Sequence, residues 1–276
     1  MTEDCPLLTP DWPVPAGVRA ACSTRQGGVS TGGFESLNLG DHVGDDAIAV
    51  SRNRQRYAQA LGAHPVFMHQ VHGWDMVLLD AHTLHGVTAD ACMATHPGLA
   101  CTVMVADCLP VLLTRLDGSA VAAAHAGWRG LAGQGGRGVL EVAVERLRHV
   151  GHVSTEYTAM KIGAMEPPHE APHADVMAWL GPCIGPTAFE VGPEVHAVFT
   201  SADPASETCF VATGQGKFLA DLAGLARLRL ADLGVTQVHG NNGSLDWCTV
   251  NNRSQFFSHR RDRGVSGRFA ASIWLA

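Results

Sequence analysis

The patterning of this chain predicts an α+β domain assembled in layers. Short apolar runs that read as strands follow one another, helical stretches are interspersed among them, and the two never settle into the regular alternation of a doubly wound nucleotide fold. The strand runs, bounded by Gly, Pro or Asp, are Val18 to Ser23, Val66 to Met68, Met76 to Leu79, Leu99 to Val105, Val111 to Leu116 and Ala120 to His125. Gly138 to Val150 carries the 3.6-residue period, with Val139, Leu140, Val142, Ala143 and Leu147 toward a core. Asp221 to Leu233 does the same through Leu222, Leu225, Leu228 and Leu230. Asp45 to Leu61 is a third helix, opening after Gly44-Asp45-Asp46, where an Asp can cap the first free amides. Residues 1–17 read as an N-terminal extension. The stretch 151–175, rich in Pro, His and Glu, reads as a surface insertion, a polar loop in which His169 and His173 are candidate metal ligands.

Of the 276 residues 46% are apolar and 16% charged, which allows one large domain or two small ones and excludes a disordered chain. The net charge of −7, with no basic stripe, argues against a nucleic-acid partner. Apolar stretches such as Val103 to Ala106 fall far short of the roughly 20 residues that span a bilayer, so no membrane partner is expected. The acidic, Pro-rich start lacks the pattern of a secretory signal, and the expected compartment is cytoplasmic. There the eight cysteines are thiols; none is spaced C-x-x-C, so no zinc ribbon is expected.

Three segments place a metal-ligating side chain at the end of an apolar strand: His69-Gln70-Val71-His72-Gly73, Ala106-Asp107-Cys108-Leu109-Pro110 and His125-Ala126-Gly127-Trp128-Arg129-Gly130. One thiolate and two imidazoles, His72, Cys108 and His125, would give a zinc ion three protein ligands and one open position, the pattern of a catalytic site. Cys101, inside an apolar strand, reads as core. Cys108 differs, because it stands between Asp107 and Pro110, where the ladder is expected to break. His69 and His72 should point to different faces of a strand end, and Gly73 favours His72. Spacing alone leaves a second reading open, in which Cys108 is a metal-free nucleophile held as thiolate by His125; that reading leaves His72 idle.

Other segments suggest anion or substrate contacts. Ser23-Thr24-Arg25-Gln26-Gly27-Gly28-Val29-Ser30 could turn its amides and the Arg25 guanidinium toward an anion, or be an ordinary polar turn. Trp128 and Arg129 offer a ring and a cation just past His125. Gly181-Pro182-Cys183-Ile184-Gly185-Pro186 is a rigid turn carrying a further thiol. Glu190 is a candidate acid or base, though an isolated carboxylate is more often solvated. Phe256-Phe257-Ser258-His259-Arg260-Arg261-Asp262 suits an anionic ligand or a plain ion pair with Asp262.

Taken together with Ser36-Leu37-Asn38-Leu39-Gly40, His42-Val43-Gly44-Asp45-Asp46 and Asn53-Arg54, these ordered motifs resemble the YfiH/YlmD family, also labelled the multicopper polyphenol oxidase or laccase-domain family. The resemblance runs from about residue 18 to the C-terminus. It implies a single α/β/β/α-layered domain with mixed sheets. It also implies an enzyme of small-molecule purine nucleosides, with phosphorolysis of adenosine, inosine, guanosine and methylthioadenosine, and deamination of adenosine, assigned to one pocket. The family's metal ligands fall on His72, Cys108 and His125, holding zinc, or else copper, with inorganic phosphate as co-substrate. His259 departs from the family's usual Tyr. A nearby acid must protonate the leaving amine in deamination, and Asp107 and Glu190 are the candidates. Arg25, Arg54, Arg129 and Arg260 are candidates to hold phosphate, with Asn38 and Cys183 as further substrate contacts. The rival functions are copper oxidation of phenols, which the lack of any H-x-H pair disfavours, a metal-free cysteine hydrolase, and a non-catalytic purine-binding module. The expected assembly is a monomer or weak homo-oligomer.

Overall fold

A computed structural model describes residues 5–150 and 175–276. The expected insertion with His169 and His173 lies outside the described residues apart from Asp175. In chain order the elements are β1 (Leu7–Leu8), β2 (Val18–Ser23), α1 (Ala47–Leu61), β3 (His64–Phe67), β4 (Met76–Leu78), β5 (Ala91–Ala94), β6 (Leu99–Val105), β7 (Leu109–Arg115), β8 (Val121–Ala126), α2 (Trp128–Ala132) and α3 (Val139–Arg148). There follow β9 (Val176–Leu180), β10 (Glu190–Val191), α4 (Pro193–Ala202), β11 (Phe210–Gly214), β12 (Lys217–Ala220), α5 (Leu222–Asp232), β13 (Gln237–Gly240) and β14 (Phe269–Leu275).

The fold is mixed α/β with three sheets. Two are mixed, in the orders β1-β2-β14-β6-β3 and β13-β9-β7-β8-β5-β4, and the small antiparallel one is β10-β12-β11. Strand periodicity decides what each sheet faces. In β6, Cys101, Val103 and Val105 join one apolar cluster with Leu112, Val121, Ala123, Met177 and Trp179 of the other sheet, while Ala100 and Met104 join Tyr57 and Leu61 of α1 on the opposite face. In β8, Ala122, Ala124 and Ala126 pack with Leu140, Ala143 and Leu147 of α3. The two large sheets thus face each other, with α1 on the outside of one and α3 and α5 on the outside of the other.

Helix α1 starts two residues later than its periodicity suggests. Asp46 caps it, accepting from Ile48 N and Ala49 N, whereas Asp45 is spent on Asn38 Nδ2 at 2.9 Å. The helix stops at Gly62, whose φ of 63° is the left-handed conformation glycine adopts without a Cβ clash. Pro110 does not break the ladder. It is the second residue of β7, opposite His125, and needs only its carbonyl there, which accepts from Gly181 N at 2.9 Å. Among the described residues no helix is long and apolar enough to cross a membrane. All eight cysteines are free thiols.

Strand directions gather the motifs at one end of the facing sheets. Strands β3 and β6 run parallel, so residues 68 and 106 leave the sheet together. β14 is antiparallel to β6 with Phe269 opposite Val105, which puts Arg268 at that same end. The chain crosses from one sheet to the other through Ala106-Asp107-Cys108, and Leu109 then pairs with Ala126, so β8 ends where β7 begins.

Candidate metal centre

The local sequence around each ligand explains why it stops at this end. His72 lies in the crossing from β3 to β4. Gln70 first prolongs the β3–β6 pairing with its side-chain amide, donating to Met104 O at 2.9 Å and accepting from Met104 N at 2.8 Å. Asp90, entirely buried, then holds the next turn: its carboxylate accepts from Val71 N, His72 N and Gly73 N at 3.1, 2.9 and 2.7 Å. Under that clamp His72 adopts a φ of 61°, unusual for a residue with a Cβ. His125, 3% exposed, alternates with Ala124 and Ala126 on β8 and therefore faces the layer between the sheets. Its Nδ1 donates to Asp90 Oδ1 at 2.8 Å, leaving Nε2 as the nitrogen free to ligate.

The ligand atoms of His72, Cys108 and His125 all lie within 4.8 Å of one another. The two imidazoles meet edge to face with centroids 4.8 Å apart. Room for the group is made by Gly127, where a Cβ would stand 3.0 Å from Cys108 Sγ and 3.0 Å from His72 Cδ2. Two imidazoles and a thiol so disposed fit a zinc-like ion, and the buried carboxylate behind His125 is the outer partner such ligands usually have.

Burial opposes the thiolate of Cys108, but the neighbouring His125 and His72 outweigh it and hold the thiol down at about 6. The same pairing works in reverse on His125: burial disfavours its cation, while Cys108 and then Asp90 favour it and push its pKa up. Asp90 stays ionised because its bonds to His125 and to the backbone of the 71–73 turn overcome its burial. Each of the three groups thus favours the charged form of its neighbour: the Cys108 thiolate, the His125 cation and the Asp90 carboxylate.

Asp107 adjoins Cys108 with a φ of 94°, and both its oxygens are engaged, Oδ1 by Thr249 Oγ1 at 2.6 Å and Oδ2 by Arg260 N at 2.7 Å. The Arg260 side chain extends to Glu190 O and lies over the Phe189 ring. Arg129 lies over the Trp128 ring at 4.3 Å, at the start of α2. The other nominated residues have partners within the protein. Glu190 forms an exposed ion pair with Lys217. Cys183 is buried, accepts from Asn241 Nδ2, and burial raises its pKa well above the usual thiol range. Asn38 is fully buried, its amide bonded to Gly40 O and Asp45 and its oxygen accepting from Gly40 N and Arg268 N.

Arg25 donates to Glu35 O and Arg253 O and covers the Phe257 ring, and in the glycine turn that follows Gly28 N donates to Ser36 Oγ and Val29 N to Asn53 Oδ1. Arg54 pairs with Asp41 at 3.1 Å and lines a cavity of about 470 Å3 with His64, Phe67 and His85 that none of the three ligands touches. Arg261 and Asp262 make the plain ion pair. Sequence reasoning missed Asp90, Thr249 and Arg268. For Asp90 a signal existed, a lone carboxylate opening the apolar run from Ala91 to Ala94.

A family model described as multi-copper polyphenol oxidoreductase laccase matches residues 19–276. The chain is 44% identical over 269 residues to a purine nucleoside phosphorylase of Pseudomonas aeruginosa, covering 97% of this chain and 98% of that one. It is also 44% identical over 271 residues to purine nucleoside phosphorylase YfiH of Escherichia coli, covering 98% of each. Among solved structures, a Neisseria meningitidis protein superposes with a TM-score of 0.82 at 45% identity over 98% of each chain. YlmD of Geobacillus stearothermophilus does so with 0.79 at 31% identity, over 94% of this chain and 92% of that one. By sequence and by fold, the chain belongs to the multi-copper polyphenol oxidoreductase laccase family that includes YfiH and YlmD.

Proposed function

We propose that this protein is a zinc-dependent purine nucleoside phosphorylase acting on adenosine, inosine, guanosine and methylthioadenosine, and that adenosine is deaminated in the same pocket. The observation that carries the reading is its near-complete match, at 44% identity, to proteins named purine nucleoside phosphorylase, with one His–Cys–His group available to hold an ion. In this reading the chain is one catalytic domain, an α/β/β/α stack, cytoplasmic, and a monomer or weak homo-oligomer.

His72, Cys108 and His125 would hold the ion, which when bound supplies a Lewis acid. Asp90 keeps His125 in the tautomer whose Nε2 faces the ligand group. In phosphorolysis a phosphate oxygen bonds to C1′ of the ribose while the C1′–N9 bond breaks and its electron pair leaves with the purine, which takes up a proton. The approaching phosphate needs cations, and Arg129 and Arg260 are proposed for contacts at this end, with Arg25, Arg54, Asn38 and Cys183 as outer supports. Asp107 is the carboxylate next to the ligand group; through Thr249 and Arg260 it fixes the loop that carries one of those cations. Glu190 contributes through its carbonyl contact to Arg260.

The test is to incubate metal-quantified protein with adenosine, with and without phosphate, and to identify the products. Adenine and ribose 1-phosphate should form only with phosphate, and inosine without it. Cys108→Ala should remove bound metal and both reactions together; full turnover by that variant overturns the proposal. Oxygen uptake with a phenol by copper-loaded but not by zinc-loaded protein would instead favour the copper oxidase that the family description names, and alkylation that abolishes amide hydrolysis without metal loss would favour a cysteine hydrolase.

A further inference from the structure

Arg268 is a cation for which no ion pair is made among the described residues, at the end of the sheets where the ligand group sits. It precedes β14, whose first residue pairs with Val105, two positions before Asp107. The residue is half-buried. Among the described residues its guanidinium bonds through Nη1 alone, to Ser266 O at 2.9 Å and Gly267 O at 3.1 Å, and no carboxylate lies within ion-pair distance. Its position is fixed with care. The backbone N donates to Asn38 Oδ1 at 2.9 Å, and the stem lies on Gly40, where a Cβ would stand 2.8 Å from Arg268 Cγ.

Taking a guanidinium out of water without a partner is unfavourable unless a ligand supplies the missing charge. Burial works against the Arg268 cation, and the groups that favour it are Cys108 and Asp107. Burial first, then the Arg268 cation, lowers the pKa of His42, against the neighbouring Asp41 carboxylate that raises it. A guanidinium with Nε and Nη2 unengaged, at the sheet end that carries His72, Cys108 and His125, presents a fork for an oxyanion.

We infer that Arg268, held by Asn38 and Gly40, is the residue that binds the phosphate co-substrate beside the His72–Cys108–His125 group. This rests on the phosphorylase reading, and the test separates the two. With metal-loaded enzyme, Arg268→Gln should raise KM for phosphate at least tenfold while KM for adenosine and metal content stay within twofold of wild type. Arg268→Lys, which keeps the charge but not the fork, should fall between. Gly40→Ala leaves the guanidinium intact but displaces its stem, and should also raise KM for phosphate; together with Arg268→Lys it carries the test if Arg268→Gln fails to fold. An unchanged KM for phosphate in these variants, or an equal rise in KM for adenosine, overturns the inference. Should the wild type not phosphorolyse adenosine, the phosphorylase reading fails, and titration of inorganic phosphate followed by 31P NMR decides the site alone. Binding lost in Arg268→Gln supports it; equal binding, or none to wild type, refutes it.

Discussion

Gly127→Ala adds a single methyl at the point where the ligand group is tightest. Its Cβ would stand 3.0 Å from Cys108 Sγ and 3.0 Å from His72 Cδ2, against an unstrained separation of about 3.5–4.0 Å, so each contact must open by about half an ångström or more. Both crowded atoms belong to ligand side chains, and a ligand set tolerates displacements of only about 0.2 Å from its proper distances. The shift therefore exceeds the tolerance at two of three ligands. We expect zinc affinity to fall at least as far as when an outer-shell partner is lost, roughly 10–100-fold. The fold itself should barely respond: Gly127 is the N-cap of α2 with φ −68°, a conformation alanine adopts freely, and the weaker cap costs at most about 1 kcal/mol. Competition against a chromophoric zinc chelator measures the affinity, and thermal melts of the metal-free proteins measure the fold. Wild-type zinc affinity in Gly127→Ala would refute the assignment of these three side chains as a ligand set.

Asp90→Asn keeps the shape but lets an amide face groups that are all donors, so zinc affinity should drop about 10–100-fold and stability by about 1–3 kcal/mol, read by chelator competition and urea unfolding. Cys108 in metal-free protein should be alkylated by iodoacetamide at rates that stay high at neutral pH and fall as pH drops through about 6, because the thiolate is the reactive form and His125 with His72 depresses its pKa; a midpoint near the ordinary thiol value would refute the pairing, and bound zinc should protect. Asn53 is fully buried, accepting from Val29 N and donating to Ser30, Ser36 O and Asn38 O, so Asn53→Ala should destabilise by on the order of 3 kcal/mol in urea melts while the folded variant keeps its zinc affinity.

What the sequence reveals follows from how each segment is buried. β2 and β6 coincide with Val18 to Ser23 and Leu99 to Val105, because apolar runs ended by turn residues are a direct image of a strand. α3 and α5 lie within the spans their periodicity marks; α5 buries Leu222, Leu225 and Leu230 with two alanines, whereas α3 is buried all round from Val139 to Val144 and again at Leu147. β14 escapes the same reading: Phe269 to Leu275 is a central strand packed on both faces, so its apolar run has no alternation and closes at the chain end without a turn signal. β9 is likewise buried at every position. α4 escapes because its apolar stripe is thin, with only Val195 and Phe199 buried among its residues. At the site, the gathering of His72, Cys108 and His125 into one group that could hold a metal is legible from metal-ligating side chains that follow or close apolar strands. Arg268 is not legible, because a lone charge has no spacing, and Asp90 shows only as a carboxylate opening an apolar run; the pairing of Phe269 with Val105 and of Ala91 with Ala124 brings the two in.

The density of polar motif residues in this chain also has a structural cause that is easily taken for chemistry. Every segment leaving the facing sheets at this end carries backbone N–H and C=O groups that have lost their ladder partners yet stay inside the protein, and buried groups of that kind must be satisfied. Asn38, Asn53 and Ser36 do this for the loop before α1, Gln70 for the end of β3, Asp90 for the turn at His72, and Asp107 for the loop at Arg260. Side chains that stand in for a sheet cannot also reach far into a pocket. The groups that the backbone does not use are the free edges of His72, Cys108 and His125, and guanidinium nitrogens that still lack an acceptor, Nε and Nη2 of Arg268 among them. If Arg268 binds an anion as proposed, its recognition rests on few residues supported by many, and substitutions among the supporting residues should weaken stability before they alter which ligand is bound.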